Sequence, residues 1–149
     1  MRRRWLRWLL LGVAVVVGLF LLIQLVPYGR SHTNPSTRNE PRWDSPQTRE
    51  LAKRACFDCH SNETTWPWYS NVAPVSWLVQ SDVDSGRATL NFSDWTGAPQ
   101  GEAGDVPGVV RRGEMPPRFY PLMHGGAKLS PTEREALATG LARTIRGTP

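Results

Sequence analysis

Both cysteines of the chain fall within five consecutive residues, Cys56-Phe57-Asp58-Cys59-His60. Two thiols separated by two residues, on a bent helix end, can reach the two vinyl groups of one porphyrin and form thioethers. C-x-x-C-H is the attachment sequence of c-type haem. A histidine directly after the second thiol falls under the ring, where its neutral imidazole can supply the proximal iron ligand. The motif therefore calls for a pocket around a large, flat, apolar partner, with Cys56 and Cys59 as covalent attachments and His60 as iron ligand.

Other chemistries use part of the same pattern. A structural zinc site built on Cys56, Cys59 and His60 needs a fourth ligand, and with no second cysteine pair only His32 and His124 remain. A thioredoxin-like redox pair calls for a strand before the motif and βαβ alternation around it, and neither is visible. Haem is the favoured reading; structural zinc and a simple disulfide stay open as alternatives.

The 149 residues, 40% of them hydrophobic, suffice for one compact domain with appendages. A net charge of +5 suggests a nucleic-acid binder until its distribution is considered. Arg2, Arg3, Arg4 and Arg7 cluster at the N-terminus, and removing them from the 18 basic residues leaves 14 against 13 acidic ones. The rest of the chain is nearly neutral and has no basic stripe, so no nucleic-acid partner is expected.

Residues 8–29 carry no charged side chain, and Leu9 to Ile23 is almost wholly Leu, Val, Ile, Phe, Ala and Gly. As helix, such a run spans about 33 Å at 1.5 Å per residue, enough to cross a bilayer. The arginines on its N-terminal side place the N-terminus in the cytoplasm under the positive-inside rule. Everything from about residue 30 then lies on the periplasmic or extracellular side of the cytoplasmic (inner) membrane, in a single-pass arrangement. A cleaved signal peptide is the alternative, but the apolar core is long for one and no A-x-A-like site follows it.

The expected division is an anchor over 1–29, a linker over 30–45 and a haem-binding domain over 46–149. The linker holds prolines among polar residues, and His32 within it reads as solvated. Ser45-Pro46 predicts a helix start, with a helix to about Ala55 that points Leu51 and Ala55 the same way as Cys59 and carries ion pairs among Glu50, Lys53 and Arg54. The aromatic run Trp66-Pro67-Trp68-Tyr69 is expected to bury itself against the ring. A second helix is expected over Val75 to about Ser85, stopped by Gly86, with Arg87 a candidate partner for a haem propionate. Leu90 to Trp95 is expected to cover the ring edge. Asn62-Glu63-Thr64 and Asn91-Phe92-Ser93 match the weak glycosylation pattern. Residues 97–108, rich in glycine and proline, read as a surface loop before a short segment over 109–112. Ser130-Pro131-Thr132-Glu133 is a capping box that opens a terminal amphipathic helix with Leu137, Leu141 and Ile145 on one side. Gly140 within it suggests close approach of another helix.

Gly113-Glu114-Met115-Pro116-Pro117 supplies the first candidate for a distal iron ligand. Two prolines after Met115 restrict the backbone that would carry its thioether to a metal. His124 and Met123 are the alternatives, with an open or water-filled position behind them.

With these residues in hand, the chain resembles the bacterial haem-binding domain proteins, small monohaem c-type modules that often carry an N-terminal anchor. The resemblance runs from about Pro46 to Ile145. It rests on Cys56 to Thr64, Trp66-Pro67-Trp68-Tyr69-Ser70, Ala73-Pro74-Val75-Ser76-Trp77, Leu90-Asn91-Phe92-Ser93, Glu114-Met115-Pro116, Tyr120, His124 and Leu129-Ser130. More distantly, the order of helix, C-x-x-C-H, Met-Pro and terminal helix is similar to class I cytochrome c, although Thr139, Gly140 and Leu141 stand where such proteins commonly have an aromatic residue. The likeness implies an all-α, single-haem, cytochrome c-like domain with first and last helices crossing, whereas one covalent haem c is expected from the C-x-x-C-H motif, and redox partner proteins at the membrane from a tethered electron carrier. One-electron transfer is the expected function. A haem-based sensor or peroxidase-like enzyme with a labile distal ligand is the alternative, and an electron carrier rather than an enzyme is favoured.

Overall fold

Helix is the only regular structure among the residues described, 2–96 and 104–147 of the computed structural model. In order these are α1 (Arg2–Ile23), α2 (Pro46–Ala55), α3 (Phe57–His60), α4 (Val75–Thr89), α5 (Val106–Arg112), α6 (Tyr120–Met123) and α7 (Pro131–Gly147), with 3-10 turns at Trp68–Asn71 and Gly125–Ala127. A lone bridge between Asn39 and Asp94 is the one strand-like feature found there. The all-α expectation holds, and the loop expected over 97–108 lies partly outside the described residues.

The chain divides into two compact units, Asn34–Thr65 with Asp82–Pro149, and Met1–Thr33 with Trp66–Ser81. In the first, Ser45 caps α2: its hydroxyl accepts from the Thr48 N–H at 3.2 Å, and Pro46 takes the first helical position. The capping box at α7 forms reciprocally, Glu133 N–H donating to Ser130 Oγ at 3.2 Å and Ser130 N–H to Glu133 Oε2 at 2.8 Å. α2 and α7 pack directly on one another. Gly140 makes this possible, because a Cβ there would lie 2.0 Å from Thr48 Oγ1. Leu137, Ala138 and Leu141 of α7 and Leu51, Ala52 and Ala55 of α2 fill the core between them.

The ion pairs of α2 run to other segments rather than along its own side: Arg54 to Glu133 at 2.8 Å, Lys53 to Glu63 at 3.2 Å and Arg49 to Glu40 at 2.8 Å. Nor is the stretch over 30–45 a bare tether throughout. Arg38 and Asn39 N–H both donate to Ser93 O, Trp95 N–H donates to Asn39 O at 2.8 Å, and Trp43 joins the core.

An aromatic cluster ties the motif into this core. Phe57, between the two cysteines, is 2% exposed and lies 5.6 Å from Phe92, which stacks on Trp95 and contacts Trp43. Leu90 to Trp95 therefore faces the core rather than a ring edge.

In the other unit, the most apolar 18-residue window of α1 has a mean hydropathy of 2.6 and none of it is buried, which makes the helix long and apolar enough to cross a membrane. His32 is not a free solvated side chain: its Nε2 lies 3.0 Å from both the carbonyl and the hydroxyl oxygen of Ser70, and its ring stacks on Trp66 at 4.7 Å. Trp68 is 79% exposed, so the aromatic run is not buried as a block.

Candidate functional site

The C-x-x-C-H segment is a bent helix junction. Cys56 ends α2 with its N–H on Ala52 O, and its own carbonyl accepts from Cys59 N–H at 3.2 Å and His60 N–H at 2.9 Å as α3 begins. Burial of Phe57 fixes which way this turn faces. The loop that follows is knitted in place: Ser61 Oγ donates to Phe57 O, Thr64 Oγ1 donates to Asp58 O, and Thr65 N–H donates to Asp58 Oδ1, each at 2.8 Å.

α4 closes one side of the motif. The expected stop at Gly86 does not occur, since the helix continues to Thr89. Gly86 serves packing instead: a Cβ there would lie 2.4 Å from the Cys59 carbonyl oxygen and 2.9 Å from its carbon, so only glycine lets α4 lie on the motif backbone. This approach brings Gly86 O to 3.0 Å and Leu90 O to 3.1 Å from His60 Nδ1. Carbonyl oxygens only accept, so the proton sits on Nδ1 and Nε2 keeps its lone pair. Burial is the main influence on His60 and lowers its pKa, against the opposing pull of these two carbonyls, so the imidazole is neutral at physiological pH. A ring nitrogen held by backbone carbonyls while the other is left with a lone pair is the usual arrangement of a metal-ligating histidine.

His60, Cys56 and Cys59 line one cleft with Ala55, Asp58, Gly86 and Thr89, and with Met115, Pro116, Pro117, Phe119 and Tyr120 from the segment beyond α5. Its empty space is about 860 Å³, open mouth included. Gly113, at φ 70°, turns the chain out of α5 into this segment, and the Met115–Pro116 bond is cis. Tyr120 OH donates to Asp58 Oδ2, which ties the segment to the motif. Of the three sulfur and nitrogen candidates named above, Met115 lines the cleft and is 40% exposed. Met123 is 67% exposed, and His124 stacks on Tyr120 at 4.1 Å.

Both thiols are free. Burial, then the neighbouring Cys59, pushes Cys56 up to about 12; burial, then Asp82 and Asp58, pushes Cys59 up to about 11. Both are therefore protonated at neutral pH, the reverse of the lowered pKa that a thioredoxin-like nucleophile requires. Among the described residues no group of three or more His, Cys, Asp or Glu is placed to hold a metal ion. Cys56, Cys59 and His60 thus do not converge as a zinc site would. They fit a haem instead: two thiols and one lone-pair imidazole nitrogen spread around a cleft with largely apolar walls.

Arg87, the candidate partner for a propionate, is not among the residues that line the cleft. It donates to Ser61 O at 2.7 Å and to Asn34 Oδ1 and Thr64 Oγ1 at 3.0 Å, clamping the loop after the motif. The amides of Asn62 and Asn91 are likewise engaged, with each other at 2.9 Å and, for Asn62, with Ser36 O, which leaves neither sequon asparagine presented for glycosylation. Neither the packing role of Gly86 nor the Asp58–Tyr120 link is among the expectations from the sequence. The first had a signal in a glycine one turn before the end of an apolar helix.

A family model described as a haem-binding domain matches residues 18–143. No curated protein and no solved structure gives a significant match, so the more distant likeness to class I cytochrome c gains no support from them. The match covers most of the chain, including the motif, α4, the Met115 segment and most of α7, and the chain belongs to the haem-binding domain family.

Proposed function

We propose that the protein is a membrane-tethered, c-type monohaem electron carrier. The observation that carries this reading is the orientation of His60, whose Nδ1 is held by Gly86 O and Leu90 O in a cleft shared with Cys56, Cys59 and Met115. Bound there, haem supplies an iron that changes oxidation state by one electron.

Cys56 and Cys59 would attach the group by thioethers, each thiol adding across a vinyl group, and their protonated state means that they carry the hydrogen needed for that addition. His60 would hold the iron through Nε2, with α4 fixing its tautomer and ring plane. Met115 would hold the iron through its thioether sulfur as the second protein ligand; the Asp58–Tyr120 hydrogen bond restrains the segment that carries it. A thioether and an imidazole as the two protein ligands would favour reduced iron, which suits electron transfer better than sensing or peroxidase chemistry. The apolar helix α1 would span the cytoplasmic membrane with the arginine cluster inside, holding the haem domain on the outer side close to redox partner proteins.

The test is the ferric and ferrous absorption spectrum of protein expressed with haem-attachment machinery, beside Met115→Ala. A low-spin c-type spectrum whose methionine-to-iron charge-transfer band disappears in the variant is the expected result. An unchanged spectrum moves the ligand to His124 or Met123, and rapid, complete carbon monoxide binding to the reduced wild-type protein sinks the electron-carrier reading in favour of a sensor or peroxidase.

A further inference from the structure

Residues 66–81 contain no Asp, Glu, Lys or Arg, yet hold Trp66, Trp68, Tyr69 and Trp77. The chain's other long uncharged stretch is 8–29, which is α1 and its exit. These two stretches fall in one compact unit.

The joint between them is specific. Gln24, the first residue beyond α1, donates from Nε2 to Phe20 O at 3.1 Å and to Ala73 O at 2.9 Å, while its Oε1 accepts from Ala73 N–H at 2.9 Å. A single side chain thereby satisfies both backbone groups of Ala73, which is fully buried. Five residues on, Gly29 at φ 82° lies so close to α4 that a Cβ would come within 2.4 Å of Ser76 O. Residues 73–76 are thus clamped at the height where α1 ends.

In a bilayer that takes α1 across its core, that height is the boundary between acyl chains and head groups, the zone favoured by tryptophan and by amphipathic surface helices. The side chains around the clamp suit it. Trp68 is 79% exposed, Leu78 65%, Leu25 77% and Val75 40%. Val75 and Leu78 stand three apart and share a helix face.

We propose that residues 66–78 form a second membrane contact, an uncharged shelf that seats Trp68, Val75 and Leu78 in the lipid interface of the membrane crossed by α1. This rests on the reading of α1 as a membrane anchor. Lacking basic side chains, the shelf adheres through apolar area alone and does not select anionic lipid.

The test uses the full-length, haem-loaded protein in lipid nanodiscs containing a phosphatidylcholine with a photoactivatable diazirine in its acyl chain, with labelled peptides located by mass spectrometry. Adducts are expected on peptides from 2–28 and also on 66–78, to the same extent with and without phosphatidylglycerol. In Trp68→Ser/Leu78→Ser, label on 66–78 should be lost while that on 2–28 and the haem spectrum stay unchanged. Label confined to 2–28, or a requirement for anionic lipid, overturns the shelf. Chain-to-chain or chain-to-protein crosslinks through 66–78 in place of lipid adducts overturn it in favour of a protein partner. Failure of the anchor reading has a different signature, with no adducts on 2–28 or a mature chain that lacks those residues.

Discussion

Replacing Gly86 with alanine sets two opposing effects against each other. In a helix interior alanine is favoured over glycine by about 1 kcal/mol, so at an open position Gly86→Ala would stabilise α4. Here the new Cβ would meet the Cys59 carbonyl oxygen at 2.4 Å, its carbon at 2.9 Å and its Cβ at 3.0 Å. The obstruction is main chain, which no rotamer change relieves, so α4 must move off the motif. Overpacking of this kind costs about 1–3 kcal/mol. The same movement lengthens the 3.0 Å contact from His60 Nδ1 to Gly86 O, a hydrogen bond with a net contribution of about 1 kcal/mol. Taken together, the variant should lose about 1–3 kcal/mol. The assay is urea unfolding of the haem-loaded chain, where the midpoint should fall at an unchanged slope. Gly126→Ala, with nothing within 4 Å of its Cβ position, is the control and should stay within about 0.5 kcal/mol of wild type. A Gly86→Ala variant as stable as wild type, or more so, would refute the close seating of α4 on Cys59.

The crossing of α2 and α7 makes a related prediction. Gly140→Ala should cost about 1–3 kcal/mol in a chain that keeps Thr48. Thr48→Ala removes the two atoms lying within 2.7 Å of the new Cβ, so a double-mutant cycle measured by denaturant unfolding should show coupling above about 0.5 kcal/mol; simple additivity would contradict the contact. Glu133 provides a pH test. The Ser130 backbone N–H first, then Arg54 and the Ser130 hydroxyl, hold its carboxyl down at about 2, against an ordinary value of 4.5. Because the folded pKa lies below the unfolded one, its contribution to stability is full above about pH 4.5 and is lost as the pH falls toward about 2. Glu133→Gln should flatten the stability profile across that window, and parallel profiles for variant and wild type would argue against the capping-box ion pair.

Local chemistry made some of this structure legible in the sequence. Ser45-Pro46 and Ser130 to Glu133 announce helix starts because capping needs only residues a few positions apart, and α2 and α7 begin where those signals stand. Gly140 could be read as a close-approach site because a glycine inside an apolar helical pattern has few other uses. Gly86 misled for the complementary reason: a glycine near a helix end serves equally as a stop or as a contact, and only the position of Cys59 against it decides. The aromatic residues were legible as a class but not as partners. Trp43, Phe57, Phe92 and Trp95 assemble across the fold, whereas the denser run at Trp66 to Tyr69 joins the unit that contains α1. Arg87 shows the same limit, since its acceptors Ser61, Thr64 and Asn34 are brought to it by loop folding that no periodicity records.

Covalent haem on Cys56 and Cys59, proposed above with His60 as its proximal ligand, is open to a decisive test by intact-mass analysis. The protein would be expressed with haem-attachment machinery, extracted with acidified acetone, weighed and digested. The expected result is a chain heavier by one haem after extraction, with the added mass on the peptide containing Cys56 to His60 and lost in Cys56→Ala/Cys59→Ala. Haem that extracts completely from the wild-type chain, or the same retained mass in the double variant, would contradict it.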